Sequence, residues 1–131
     1  KLFSELIEEK LIQPTFVLDY PKSISPLAKQ KRGCSEDIVE RFELFIGGIE
    51  FANSFTELND PVEQRLRLKD IIKATNKIDK EIQVIDDDFI KAMEAGMPPM
   101  GGVGIGVDRL VMLFTSQDSI KDVILFPVLR N

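Results

Sequence analysis

Hydrophobic and polar positions change period several times along the chain, and each change marks an element. Leu2, Phe3, Leu6, Ile7 and Leu11 recur at helical spacing, which predicts an amphipathic helix ending near Pro14. "TFVLDYP" reads as a short buried strand. The segment from Ser23 to Asp37, rich in Pro, Gly, Ser and charge, reads as a loop. Two extended runs follow, "ERFELFI" and "IEFANSFTEL", and Gly47 and Gly48 between them signal a two-residue hairpin. Asp60, Pro61 and Glu63 open a helix expected to run into the late seventies. "DDDFIKAMEAG" is a further helix that Gly96 caps and Pro98 forbids from continuing. The end of the chain predicts a glycine-rich strand, a helix from Asp108 to about Thr115, and a terminal strand or extended segment around "DVILFP". No repeat or low-complexity linker divides the sequence. The fold class is α+β, an antiparallel sheet with flanking helices.

Turn geometry fixes side-chain direction in the hairpin. With Gly47 and Gly48 as the loop, Ile46 lies opposite Ile49, Phe45 opposite Glu50 and Glu43 opposite Ala52. Glu43 and Glu50 are then diagonal neighbours about 7–8 Å apart at the backbone, a separation from which two carboxylates can converge on one divalent cation. Phe42, Leu44 and Ile46 point the other way and are expected to face the core. Asn53, Phe55 and Glu57 share a face by alternation, but strict counting makes it the face opposite to Glu43 and Glu50. One extra residue between Glu50 and Asn53 would bring all five onto one surface, and such bulges are common beside active sites. The same pattern also fits a half-solvated hairpin with ordinary surface carboxylates.

"GGVGIGVDRL" raises a related question, because Gly102, Gly104 and Gly106 alternate with Val103, Ile105 and Val107. A strand glycine costs roughly 0.5–1 kcal/mol relative to alanine, so three in register suggest that something approaches the backbone closely. A planar ring on the bare face would qualify. Arg109, in the first turn of the next helix, could meet an anion such as a phosphate. A neighbouring helix packed on the glycines, with Arg109 paired to a carboxylate, is the alternative. The spacing fits neither the dinucleotide fingerprint nor the P-loop.

Composition narrows the chemistry. The 131 residues are 44% hydrophobic, enough for a real core, and no apolar run approaches the ~20 residues that span a bilayer. The first residues are unlike a secretory leader, so a cytoplasmic location is expected. With one cysteine, Cys34, and no histidine, internal disulfides, the usual zinc sites and histidine-based triads are excluded. A net charge of −5 argues against a broad nucleic-acid footprint within this stretch. The chain opens on Lys1 inside a helical pattern, and is expected to be part of a longer protein.

The motifs together resemble a known family. "GGVGIGVDRLVML" is similar to motif 3 of the class II aminoacyl-tRNA synthetases, at about residues 101–115. "ERFELFIGGIEFANSFTELNDPVEQ", "ISPLAK" and "ILFP" resemble the lysine-specific branch of that family. Relatives reading aspartate or asparagine would carry a "GGGS"-like stretch where this chain has "ANSFTELND". The resemblance covers the C-terminal part of the catalytic domain, and implies that the anticodon-binding domain and motifs 1 and 2 lie upstream of Lys1. It implies that Glu43 and Glu50 hold magnesium on the phosphates of ATP, that Arg109 contacts the nucleotide, and that Gly104 and Gly106 lie beside the adenosine. Asn53, Phe55 and Glu57 are implied to bind L-lysine. Arg109 and Glu50 are the residues implied to be catalytic, for lysyl-adenylate formation followed by transfer to tRNA(Lys). A homodimer is implied for the complete enzyme, and no membrane association. This fragment alone is expected to be inactive, because the motif 2 arginine would lie outside it.

Two further readings stay open. A shortened paralog that attaches a lysine-like group to an elongation factor shares much of the pattern, although "ISPLAK" and "FTELND" resemble the tRNA enzyme more closely. A non-catalytic synthetase-derived binding module would be expected to have lost the carboxylate pair or Arg109, and both are present.

Overall fold

A computed structural model describes residues 2–34, 37–75 and 85–127. Four strands, β1 (Thr15–Leu18), β2 (Arg41–Ile46), β3 (Ile49–Thr56) and β4 (Gly101–Ile105), form one antiparallel sheet in the order β1-β2-β3-β4. The helices are α1 (Leu2–Leu6), α2 (Pro61–Thr75), α3 (Asp87–Glu94) and α4 (Val107–Thr115). The chain divides into two compact units. The first gathers the described residues of Lys1–Val17, Phe42–Ser54 and Val103–Asn131, the second those of Leu18–Arg41 and Phe55–Gly102.

In the first unit the expected N-terminal helix is cut short. Ile7 leaves helical geometry at φ −119°, and a 3-10 turn, Glu8–Lys10, follows. The interruption has a use. It turns out the carbonyls of Leu11 and Ile12, which accept the N–H groups of Gly48 at 3.0 Å and Gly47 at 2.9 Å. Both glycines hold positive φ, 60° and 75°, the left-handed pair that a tight hairpin turn needs. Phe3 of α1 meets Phe45 edge to face at 5.7 Å. That contact corrects the expected core: Phe42, Leu44 and Ile46 are only half-buried, whereas Phe45, on the face of Glu43, is 2% exposed because α1 covers it. The strand "TFVL" forms as β1 but is not buried. Phe16 and Leu18 are exposed on this edge strand, and Phe16 packs edge to face on Phe42 at 5.4 Å. No strand forms at "DVILFP": a 3-10 turn at Ile120–Asp122 leads into bends, and Phe126, at φ 55°, breaks the extended run with its side chain in solvent.

The second unit has the fuller core. Ala28, Val39, Leu58, Ile90 and Met93 are buried, and Gln64 and Arg67 of α2 are buried among them. Arg67 donates to the carbonyl of Ala28 at 2.7 Å and to Glu63 one helical turn back at 2.9 Å. Glu63 also pairs with Lys22 at 3.2 Å. Burial pushes the Glu63 carboxyl up, but its hydrogen bonds to Arg67 and Lys22 outweigh that and leave it below the usual range. Helix α2 starts as expected, with Asp60 Oδ1 accepting the N–H groups of Val62 at 2.9 Å and Glu63 at 3.2 Å. Its expected end in the late seventies lies outside the described residues. Replacing Asp60 with alanine strands those two donors and should cost about 1 kcal/mol, read as a lower urea midpoint at unchanged slope. Asp86 caps α3 in the same way, and Gly96, at φ 122°, closes it.

Candidate active site

The hairpin register decides which carboxylates can act together. From Ile46 back to Glu40 is six residues, and from Ile49 forward to Thr56 is seven, yet the N–H of Thr56 donates to the carbonyl of Glu40 at 3.0 Å. Strand β3 therefore holds one residue more than β2. Against β4 it keeps step: Phe51 accepts from the N–H of Gly106 at 2.9 Å, and the N–H of Glu57 donates to Met100 at 3.0 Å, six residues apart on both strands. The surplus thus falls at Glu50 and Phe51, which together oppose Phe45. It sits one position earlier than the stretch between Glu50 and Asn53 suggested by the sequence. Its effect is that Asn53, not Ala52, stands opposite Glu43.

In the first unit, then, Glu43, Glu50 and Asn53 occupy one face, each half-buried. Arg109, three residues into α4, is exposed and donates from Nη1 to the main-chain carbonyl of Glu50. The arginine that resembles a nucleotide ligand is thereby tied to the backbone of a carboxylate that resembles a metal ligand. Gly106 gives the arginine stem room, since a Cβ there would lie 3.2 Å from Cδ of Arg109 and the stem would have to give by a few tenths of an ångström. Gly104 is exposed, and a Cβ on it would meet only the carbonyl of Asn53, at 3.8 Å. That stretch of backbone is open to a flat ligand. Among the described residues no group of three or more His, Cys, Asp and Glu side chains is arranged to hold a metal. A pair of carboxylates still suits magnesium, which takes one or two from the protein and fills its octahedron with water and substrate phosphate oxygens.

In the second unit, alternation along β3 and into Glu57 puts Phe55 and Glu57 on one face. Burial raises the pKa of the half-buried Glu57 carboxyl, and among the described residues its side chain has no cationic partner. It lies against Gly102, where any Cβ would overlap Glu57 Oε1. The alternation of glycines suggests for Gly102 only a share in one bare face with Gly104 and Gly106. The available signal was its offset: directly across from Phe55, it is diagonal to Glu57 on the same face. The three alternating glycines thus serve three ends, clearing space for the Glu57 carboxylate, leaving an open surface, and admitting the Arg109 stem.

Residues 2–130 match the family model for class II tRNA synthetases (D, K and N), and the chain belongs to that family. Among its relatives it is 59% identical over 128 residues to a lysine–tRNA ligase of Prochlorococcus marinus, covering 98% of this chain and 25% of that protein. It is 59% identical over 130 residues to one of Gloeobacter violaceus and 55% identical over 130 residues to one of Pelotomaculum thermopropionicum, covering in each case 99% of this chain and 26% of the relative. The chain thus spans about a quarter of the length of these relatives. Among the described residues no helix is long and apolar enough to cross a membrane.

Proposed function

We propose that this chain is the C-terminal part of the catalytic domain of a lysine–tRNA ligase, which activates L-lysine with ATP to lysyl-adenylate and transfers the lysyl group to tRNA(Lys). The observation that carries the reading is Glu57, a half-buried carboxylate with no cationic partner among the described residues, on the strand face that also presents Phe55. Such a group binds a long cationic side chain, because an incoming ammonium offsets its desolvation and a neutral analogue leaves it unpaired. In this reading Asn53 supplies an amide and Phe55 an apolar wall for the methylene stem.

Glu43 and Glu50 are the residues that would hold magnesium on the ATP phosphates. The metal, when bound, neutralises phosphate charge and orients the α-phosphate for in-line attack by the lysine carboxylate. Gly104 leaves backbone accessible to the adenosine, and Arg109 offers donors to the nucleotide while its position is fixed through Glu50. No step calls for histidine, since positioning and charge neutralisation suffice for this substitution. The complete enzyme is read as a cytoplasmic homodimer.

The test is a magnesium titration of lysine-dependent pyrophosphate exchange in a complete ligase carrying this segment. Glu43→Gln and Glu50→Gln should each raise the magnesium requirement by at least about tenfold, the scale on which even outer-sphere partners of a bound metal act. Equilibrium binding of lysine in the absence of ATP should change little. A magnesium optimum identical to the parent's in both variants would remove these two residues from the metal site.

A further inference from the structure

We infer that Gly102 is a positioning residue for amino-acid recognition: the volume left by its absent side chain is the seat of the Glu57 carboxylate, so glycine at this point of β4 sets where a substrate ammonium can be met. This goes one residue beyond the proposed lysine site and rests on that reading.

The strand glycines differ in what a Cβ would touch. At Gly104 it would make ordinary van der Waals contact with the Asn53 carbonyl at 3.8 Å, and at Gly101 with the Phe55 carbonyl at 3.7 Å. Gly102 differs, because its Cβ would fall on Glu57 Oε1 and stand 3.4 Å from Glu57 Cδ, with no backbone atom among its close neighbours. The backbone itself imposes no need for glycine there, since Gly102 is not among the positive-φ residues. What glycine protects is therefore neither a turn nor a close approach of two main chains. It protects the location of one carboxylate at the end of a rotatable side chain.

That distinction sets the expected consequence. An alanine at 102 displaces the tip of Glu57 by rotation about its own torsions, at small cost to folding, and the ladder of β3 on β4 persists. The displaced carboxylate is no longer held on the face that Phe55 lines for the substrate stem. A charge held off its mark by about 1 Å loses much of a charged hydrogen bond, whose geometry is steep. Aspartate at 57, one methylene shorter, withdraws the carboxylate from the added methyl group. The two positions are therefore coupled.

The experiment is a double-mutant cycle in a complete ligase carrying this segment, with Gly102→Ala, Glu57→Asp and the double variant assayed by pyrophosphate exchange and by thermal unfolding. Gly102→Ala should raise KM for lysine about tenfold, with KM for ATP within twofold and Tm within a few degrees of the parent. Glu57→Asp should cost less in the Gly102→Ala background than in the parent. Equal increases in both KM values with a large fall in Tm, or additive effects of the two substitutions, would overturn the inference by making Gly102 a general packing position. Glu57→Gln is run alongside to separate two failures. If it leaves lysine use untouched, the lysine-site reading itself is lost; if it impairs lysine use while Gly102→Ala does not, only the role of Gly102 is lost.

Discussion

Replacing Arg109 with alanine should lower pyrophosphate exchange by on the order of 10²- to 10³-fold in kcat, the loss typical of removing one preorganised donor from a developing charge. The structure gives two reasons for expecting the upper part of that range. The guanidinium spends one N–H on the Glu50 carbonyl and has others to offer an anion, so under the proposed role its loss should remove a nucleotide contact as well as the tie to the β3 backbone. Lysine at 109 should not restore activity, because a single ammonium has no fork with which to hold a carbonyl and a phosphate in one plane. Arg109 is exposed, so Tm should stay near the parent's, and that makes the kinetic loss interpretable. Exchange within tenfold of the parent in Arg109→Ala would show that the nucleotide is gripped elsewhere.

Glu57→Gln is the second large effect, and it should fall on the amino acid alone. Glutamine keeps the shape and an acceptor but removes the charge that compensates a buried ammonium. A charged hydrogen bond of this kind is worth about 1.5–3 kcal/mol, or about ten- to a hundredfold in kcat/KM for lysine with KM for ATP unchanged. A pH signature accompanies it. Burial raises the Glu57 pKa, so the ionised form that lysine needs is lost as pH falls through a value above the ordinary carboxylate range, and lysine affinity falls with it. The glutamine variant should lack that limb. The same shift has the opposite sign for folding: a carboxylate whose pKa is raised by the fold costs stability once the pH exceeds its unfolded value, so Glu57→Gln should fold at least as stably at neutral pH. Calorimetric lysine binding from pH 4 to pH 8 checks the acid limb, and urea unfolding at neutral pH checks the stability. A glutamine variant with the parent's affinity and the parent's acid limb would move recognition of the ammonium to another residue.

How much of this was legible in the sequence depends on the reach of each signal. The hairpin was, because Gly47-Gly48 between two alternating runs fixes a local geometry, and so was α2, whose Asp60 cap acts on the next few N–H groups. Signals that rest on distant partners were weaker. The helical period from Leu2 to Leu11 was real as a pattern, yet the helix yields at Ile7 because the hairpin tip claims the carbonyls of Leu11 and Ile12. Phe45 could not be told from Phe42 as the core residue until Phe3 was placed on it. "DVILFP" has strand composition but turns at Phe126. For the site, alternation placed Asn53, Phe55 and Glu57 together but left their relation to Glu43 and Glu50 to a surplus residue that no single sequence position announces. The sequence reading took the three strand glycines as one bare face. Seeing three separate purposes required knowing which side chains lean against them.

The surplus residue at Glu50 and Phe51 bears on how such a segment can change over generations. Substitutions along β3 act on one side chain at a time, and their effects can be graded and repaired. Losing or gaining a single residue between Gly48 and Asn53 is different, because it would restore even counting against β2 or double the offset and exchange the two faces of everything beyond that point. Asn53 would turn away from the face of Glu43. A one-codon deletion there should therefore abolish amino-acid activation in one step, and compensating point changes elsewhere should not recover it. Only a second length change, of opposite sign and within the same few residues, should do so. Lineages that keep the activity should hold the number of residues between Gly48 and Asn53 fixed, even where residues other than Glu50 change identity.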